Sequence, residues 1–169
     1  MKLFSISATD FQWIKGDEDD PQDLCLHGHA TARIGDEIFE YDATVSATAL
    51  YLLKSVSEDH IINQDNQMLP CCGFNMWPKD DGSGDVFIAG CVNGVDWSVI
   101  HEGNRVKLIT ETGKETLVKI EDYKEEVFRF ADSVEDYYKK CTPKILPEDE
   151  YDREGYLAFW KEWHRRRKI

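Results

Sequence analysis

Cys25-Leu26-His27-Gly28-His29 is a dense group of metal-binding side chains. Residues two apart on an extended strand point to one face, so a thiol and two imidazoles would line up there as soft ligands for zinc. A tetrahedral site needs a further ligand, which His60, His101, Cys71 or Cys72 would supply if folding brings one near. Read without metal, the stretch is a mixed strand face with one buried cysteine and two partly exposed histidines. Cys71-Cys72 stands between Pro70 and Gly73. Adjacent residues of an extended chain face opposite sides, which predicts that these two thiols do not serve one site and that one belongs to the core. Pairing a cysteine with His101 would allow acyl-transfer chemistry, although no local nucleophile signature surrounds either one.

Other chemistry finds little support. Asp81-Gly82-Ser83-Gly84-Asp85 has two glycines, but its carboxylates would repel a phosphate and no lysine or P-loop helix follows, so it reads as a turn. Gly90-Cys91-Val92-Asn93-Gly94-Val95-Asp96-Trp97 reads as a hairpin turning at Asn93-Gly94, two residues that tolerate positive φ. That register would put Trp97 and Val99 in the core and leave Asp96 and Ser98 outside.

The elements that must position these residues are mostly strands, followed by helices. Apolar residues between 2 and 14 precede the acidic run Asp17-Glu18-Asp19-Asp20, a solvated loop ending at Pro21. Alternation then runs from Leu24 through Ile34, turns at Gly35-Asp36 and returns through Ile38 to Val45, the pattern of a hairpin. A short helix is expected near 48–59, where Leu50, Leu53 and Val56 have helical spacing. Further apolar runs (68–77, 85–92, 95–101, 105–110 and 115–120) read as a β-meander. Tyr123, Val127, Ala131, Val134, Tyr138 and Cys141 then share one helical face, and Pro143 stops that helix. Tyr156, Trp160 and Trp163 mark a second, C-terminal helix with an acidic start and the basic end Arg165-Arg166-Arg167-Lys168. The whole reads as a single α+β domain over 1–169, strand-rich to 120 and helical from 121 to 169. An antiparallel sheet of about six to eight strands is packed by the helices.

Composition narrows the function. With 20 Lys+Arg against 33 Asp+Glu the net charge is −13, which argues against non-specific nucleic-acid binding. Five cysteines with no CxxC spacing predict reduced thiols and no disulfide framework. The N-terminal stretch has no signal-peptide pattern and no run reaches the length of a membrane span, so a cytosolic protein is expected. Residues 153–169 carry six basic and two acidic side chains, leaving a net −17 on residues 1–152. A field of that sign steers a basic partner, and the expected contact residues are Asp80, Asp81, Asp85 and Asp96, with Glu102 beside them.

The string GCVNGVDWSVIHEG at 90–103, together with YKEEVFRFADSVEDYY at 123–138 in an acidic α+β chain of this size, resembles bacterial immunity proteins of toxin–immunity systems. It is also faintly similar to the SMI1/KNR4-type immunity superfamily. The resemblance implies a non-catalytic cytosolic protein, needing no cofactor, that binds one cognate toxin and neutralises it, and a basic nuclease would suit its charge. Two alternatives stand beside it. One is a zinc- or thiol-dependent enzyme on Cys25, His27 and His29. The other is a regulatory adaptor that binds through the C-terminal helix, whose Trp160, Trp163 and arginines are residue types common in binding hot spots.

Overall fold

The computed structural model describes residues 1–16, 18–64 and 66–169, and among these the chain forms ten strands and three helices in an α+β arrangement. The strands fall into several small antiparallel sheets, and of the meander expected over 68–120 the last three strands form one. In the first sheet, β1 (Phe4–Gln12), β2 (His27–Ile34) and β3 (Glu37–Ala43) lie antiparallel in that order, with β2 and β3 joined by the expected turn at Gly35-Asp36. Strand alternation sends Phe4, Ile6, Ala30, Ala32 and Ile34 inward. In the second, β8 (Trp97–Glu102), β9 (Arg105–Thr110) and β10 (Glu115–Lys119) lie antiparallel with β9 in the middle. Trp97, Val99, Val106, Leu108 and Val118 form its buried face.

The two sheets meet through their turns. Glu37 accepts hydrogen bonds from Thr110 Oγ1 at 2.7 Å and Thr112 Oγ1 at 2.8 Å, and Lys114 Nζ lies 3.2 Å from Asp36. Beneath that seam the Phe4 ring sits 4.8 Å from Tyr123 and 6.4 Å from Trp97, so one apolar core is shared by both sheets.

Helix α1 (Val45–Ser55) begins three residues earlier than the sequence suggested and is buried at nine of its eleven positions. A helix apolar on all sides belongs inside a fold, and this one touches β2 and both later helices. Its weak sidedness explains why its start was hard to place: Val45, Ser46 and Ala47 are buried too, with Ser46 Oγ accepting from Leu26 N at 3.2 Å. Helix α2 (Ile120–Lys140) presents the stripe read from the sequence, with Tyr123, Val127, Ala131 and Val134 inward and Phe130 added.

Two small hairpin-like pairs complete the sheet structure. β5 (Asn75–Pro78) pairs with β6 (Val86–Ala89), while β4 (Leu69–Pro70) pairs with β7 (Gly94–Val95). This corrects the reading of Asn93-Gly94 as a hairpin turn. Gly94, at φ 146°, lies in β7 against Pro70, and a Cβ there would meet Leu69 O at 2.4 Å. The glycine is needed because two backbones approach closely, and that demand leaves the same mark in a sequence as a chain reversal does.

A second correction concerns the neighbouring strand. Trp97 and Val99 are core residues as expected, but Asp96 and Ser98 are also buried, because His60, Ile62 and Met68 cover their face. His60 and Val99 exchange backbone hydrogen bonds of 2.9 and 2.8 Å. His60 Nε2 lies 2.8 Å from Asp96 Oδ1, which also accepts from Met68 N at 3.1 Å, and Ser98 Oγ accepts from Ile62 N at 2.9 Å.

Helix α3 (Glu150–Arg167) is capped by Asp149, whose carboxylate accepts from Asp152 N. Tyr156, Phe159 and Trp163 are buried, and Gly155 rests on β5, where a Cβ would stand only 2.0 Å from Met76 O. The basic end is engaged within the fold. Arg165 pairs with Asp85, Arg166 reaches Asp85, Glu162 and Glu58 at 3.2, 2.8 and 2.9 Å, and Arg167 binds Asp132 at 2.7 Å. Among the described residues no helix is long and apolar enough to cross a membrane. Of the acidic run at 17–20, Asp17 lies outside the described residues. Asp19 accepts from Thr142 N and Oγ1 at 2.8 Å, and Asp20 from Gln22 N at 3.0 Å.

Candidate functional site

The structure does not bring Cys25, His27 and His29 together as ligands. β2 begins only at His27, so strand alternation does not extend to Cys25. Cys25 is 1% exposed with Sγ 3.5 Å from Gly73 O, and burial pushes its thiol up to about 12, which suits a protonated core thiol. His29 Nδ1 lies 2.7 Å from Asp42 Oδ1, a hydrogen bond that raises the imidazole above its usual range, and His27 lies half-buried in the same open groove. His101 pairs with Asp59 at 2.7 Å and with Val56 O at 3.1 Å rather than with a cysteine.

The sulfurs that do converge belong to Cys71, Cys72 and Cys91, all half-buried, with Sγ atoms within 4.8 Å of one another. This overturns the expectation that Cys71 and Cys72 face apart, because the chain leaves the extended conformation after Pro70 at the end of β4.

The five acidic residues nominated from the sequence separate into three groups. Asp85 and Asp96 are buried, at 9% and 3% exposure, so neither belongs to a free surface. Asp85 is the anchor of Arg165 and Arg166, and Asp96 is held by His60 and Met68 N. Glu102 is the last residue of β8, paired with Lys107 Nζ at 2.5 Å. Asp80 and Asp81 are exposed together on the loop joining β5 to β6.

Beside those two carboxylates lies an open aromatic shelf. Trp77 and Phe87 are cross-strand partners on the outer face of the β5–β6 hairpin, stacked with centroids 4.8 Å apart and planes 28° from parallel. Tyr151, from the first turn of α3, stacks on Trp77 at 5.9 Å and 26°. Phe87 and Tyr151 remain 43% and 55% exposed, and the groove between these rings is rimmed by Lys79, Asp80, Asp81 and Glu154. Alternation builds the shelf: Met76, Val86 and Ile88 point into the core, so Trp77 and Phe87 must point out.

The acidic loop is held in one shape. Lys79 N donates to Asp85 O at 2.8 Å, Ser83 N to Asp81 Oδ1 at 2.9 Å, and Arg165 Nη1 to Ser83 O at 3.1 Å. Hydrogen bonds from the Ser83 hydroxyl and backbone keep the Asp81 carboxyl below its usual range, so it is ionised at neutral pH. Ring faces are electron-rich, and next to fixed carboxylates they suit a cation with a flat, stacking head such as a guanidinium.

Sequence reasoning placed Asp80 and Asp81 at the surface, where the structure has them exposed, but did not point to Trp77, Phe87 and Tyr151 beside them. The signal was the order of residues in Asn75-Met76-Trp77-Pro78 and Val86-Phe87-Ile88, whose alternation sends the aromatic residue outward in each strand. Compared with protein-family models, curated proteins and solved structures, the chain matches none of them.

Proposed function

We propose that the protein is a non-catalytic binding protein of the immunity type, acting in the cytosol, which captures one basic protein partner on the Trp77/Phe87/Tyr151 shelf. The observation that supports this reading is the pairing of three stacked, partly exposed rings with the preordered loop that carries Asp80 and Asp81. Aromatic anchors supply the desolvated contact area of a hot spot, and carboxylates at the rim steer and orient a cationic partner. Because the loop is already fixed by its own hydrogen bonds, little conformational entropy is lost when a partner docks. The net charge of −13 extends the attraction beyond contact distance.

The test uses the full chain and a W77A/D80N/D81N variant as paired baits in extract of the source cell, at about 50 mM and about 500 mM salt, where screening differs severalfold. The protein retained is identified, remade in pure form and titrated. One basic protein is expected to bind at one-to-one stoichiometry. Its association should slow with salt, and W77A alone should cost about 2 kcal/mol or more. A partner that is acidic, one that binds both baits equally, or the absence of any specific partner overturns the proposal.

A further inference from the structure

Independently of the shelf, we propose that Cys71, Cys72 and Cys91 form a three-thiolate binding site for a soft, thiophilic cation, of the Cu(I) or Zn(II) class. The two cysteines after β4 and the one in the loop between β6 and β7 are far apart in sequence, and the β4–β7 pairing brings them together. Cys71 N donates to Asn93 O at 3.3 Å, which ties the two loops across the cluster. Among the described residues, no other group of three or more His, Cys, Asp or Glu side chains places its ligand atoms this close.

The donor chemistry and the spacing agree with such an ion. Metal–sulfur bonds of about 2.3 Å hold three thiolates about 3.8–4.0 Å apart around one ion. The three sulfurs already fall within 4.8 Å, and Cys71 and Cys91, now 2.7 Å apart, need to separate by only about 1 Å to admit it. Cys91 N donates to Cys72 Sγ at 3.2 Å, a hydrogen bond that supports a thiolate there and fixes its direction. Cys71 Sγ and Cys91 Sγ already share a hydrogen bond, so the two sulfurs face each other across the cluster. Binding displaces the remaining thiol protons to solvent, one for each sulfur that becomes a thiolate. Three sulfurs complete a trigonal Cu(I) site, whereas Zn(II) would retain a water as its fourth ligand.

The test is anaerobic titration of the reduced full chain with Zn(II) and, separately, Cu(I), read by native mass spectrometry and by ultraviolet thiolate-to-metal absorption. One ion per chain is expected, with a raised unfolding temperature. Each of C71S, C72S and C91S should weaken binding at least tenfold, while a C25S/C141S variant, which retains only the trio, should bind as the wild type does. Preference for Cu(I) identifies the trigonal site, and preference for Zn(II) the site with an open position. The proposal fails if neither ion binds, if binding persists in C91S, or if C25S/C141S folds normally by circular dichroism yet binds no metal.

Discussion

Arg166 is a basic residue in a partner-like helix, yet it is 4% exposed and surrounded by carboxylates of its own chain. Its replacement by methionine discriminates between a structural and an interfacial role. Nε donates to Glu162 Oε1 at 2.8 Å, Nη2 to Asp85 Oδ2 at 3.2 Å, and Nη1 lies 2.9 Å from Glu58 Oε1. The Glu58 side chain is 48% exposed, so that contact is worth about 1 kcal/mol or less. Asp85 keeps Arg165, which leaves Glu162 as the charge most exposed to loss: it is 2% exposed, and only Oε2 retains a donor, Val86 N at 2.7 Å. Stripping one partner from a buried pair costs about 3–5 kcal/mol. The surviving backbone hydrogen bond places R166M near the lower end, at about 3 kcal/mol. E162Q keeps an oxygen for Val86 N–H while removing the stranded charge, so in the R166M background it should recover about 1–2 kcal/mol. The assay is urea unfolding followed by tryptophan fluorescence for the wild type, both single variants and the double variant, with unchanged m-values. If R166M costs under about 0.5 kcal/mol, or the two changes add to within that margin, the buried network is not coupled and the argument fails.

Two further outcomes follow from the same packing. In G155A the new methyl would stand 2.0 Å from Met76 O, a backbone atom with little freedom to yield. The gain of about 1 kcal/mol in helix propensity should therefore be outweighed by overpacking of about 1–3 kcal/mol, and a raised Tm would contradict this. Acid stability is set by carboxyls held below their usual range. Glu37 is held down by the Thr110 and Thr112 hydroxyls and Asp59 by His101; at Glu126 burial opposes ionisation, but Arg129 and Lys2 outweigh it. A depressed folded-state pKa contributes stability that is fully present above the unfolded value, about 4 for these groups, and is lost as pH falls through the folded value. The urea midpoint should stay level above about pH 5.5 and fall on acidification below about pH 4.5, less steeply in E126Q; a midpoint that rises below pH 4.5 would refute the assignment.

Periodicity was legible wherever one face of an element is buried and the other wet. The α2 stripe from Tyr123 to Val134 and the β2–β3 hairpin are of that kind, since a single rule of 3.6 or 2 decides every position. It was not legible where burial is two-sided. Helix α1 has no wet face, and β8 is covered by His60, Ile62 and Met68, so Asp96, which alternation alone turns to solvent, lies inside with Oδ1 bound by His60 and Met68 N. Residue type likewise misled when charges were taken one at a time: Asp85 and Arg166 look like surface residues until the fold pairs them.

The same distinction explains which parts of the two sites could be foreseen. The exposure of Asp80 and Asp81 could be foreseen because a turn rich in glycine and aspartate is solvated in any fold. The rings beside them were not, because a tryptophan in a short strand is core by default unless its neighbours have already claimed the inside, as Met76 and Ile88 do. The cysteine cluster depends on still less local information. Whether Cys71, Cys72 and Cys91 meet is decided by the pairing of two strands of two residues each, Leu69–Pro70 with Gly94–Val95. Strands that short carry no readable period. What does carry over from the sequence is the requirement at Gly94, where a Cβ would strike the Leu69 carbonyl and hold the two loops apart. One residue type therefore controls the approach of the two strands, and with it the distance between sulfurs that lie 20 positions apart in the chain.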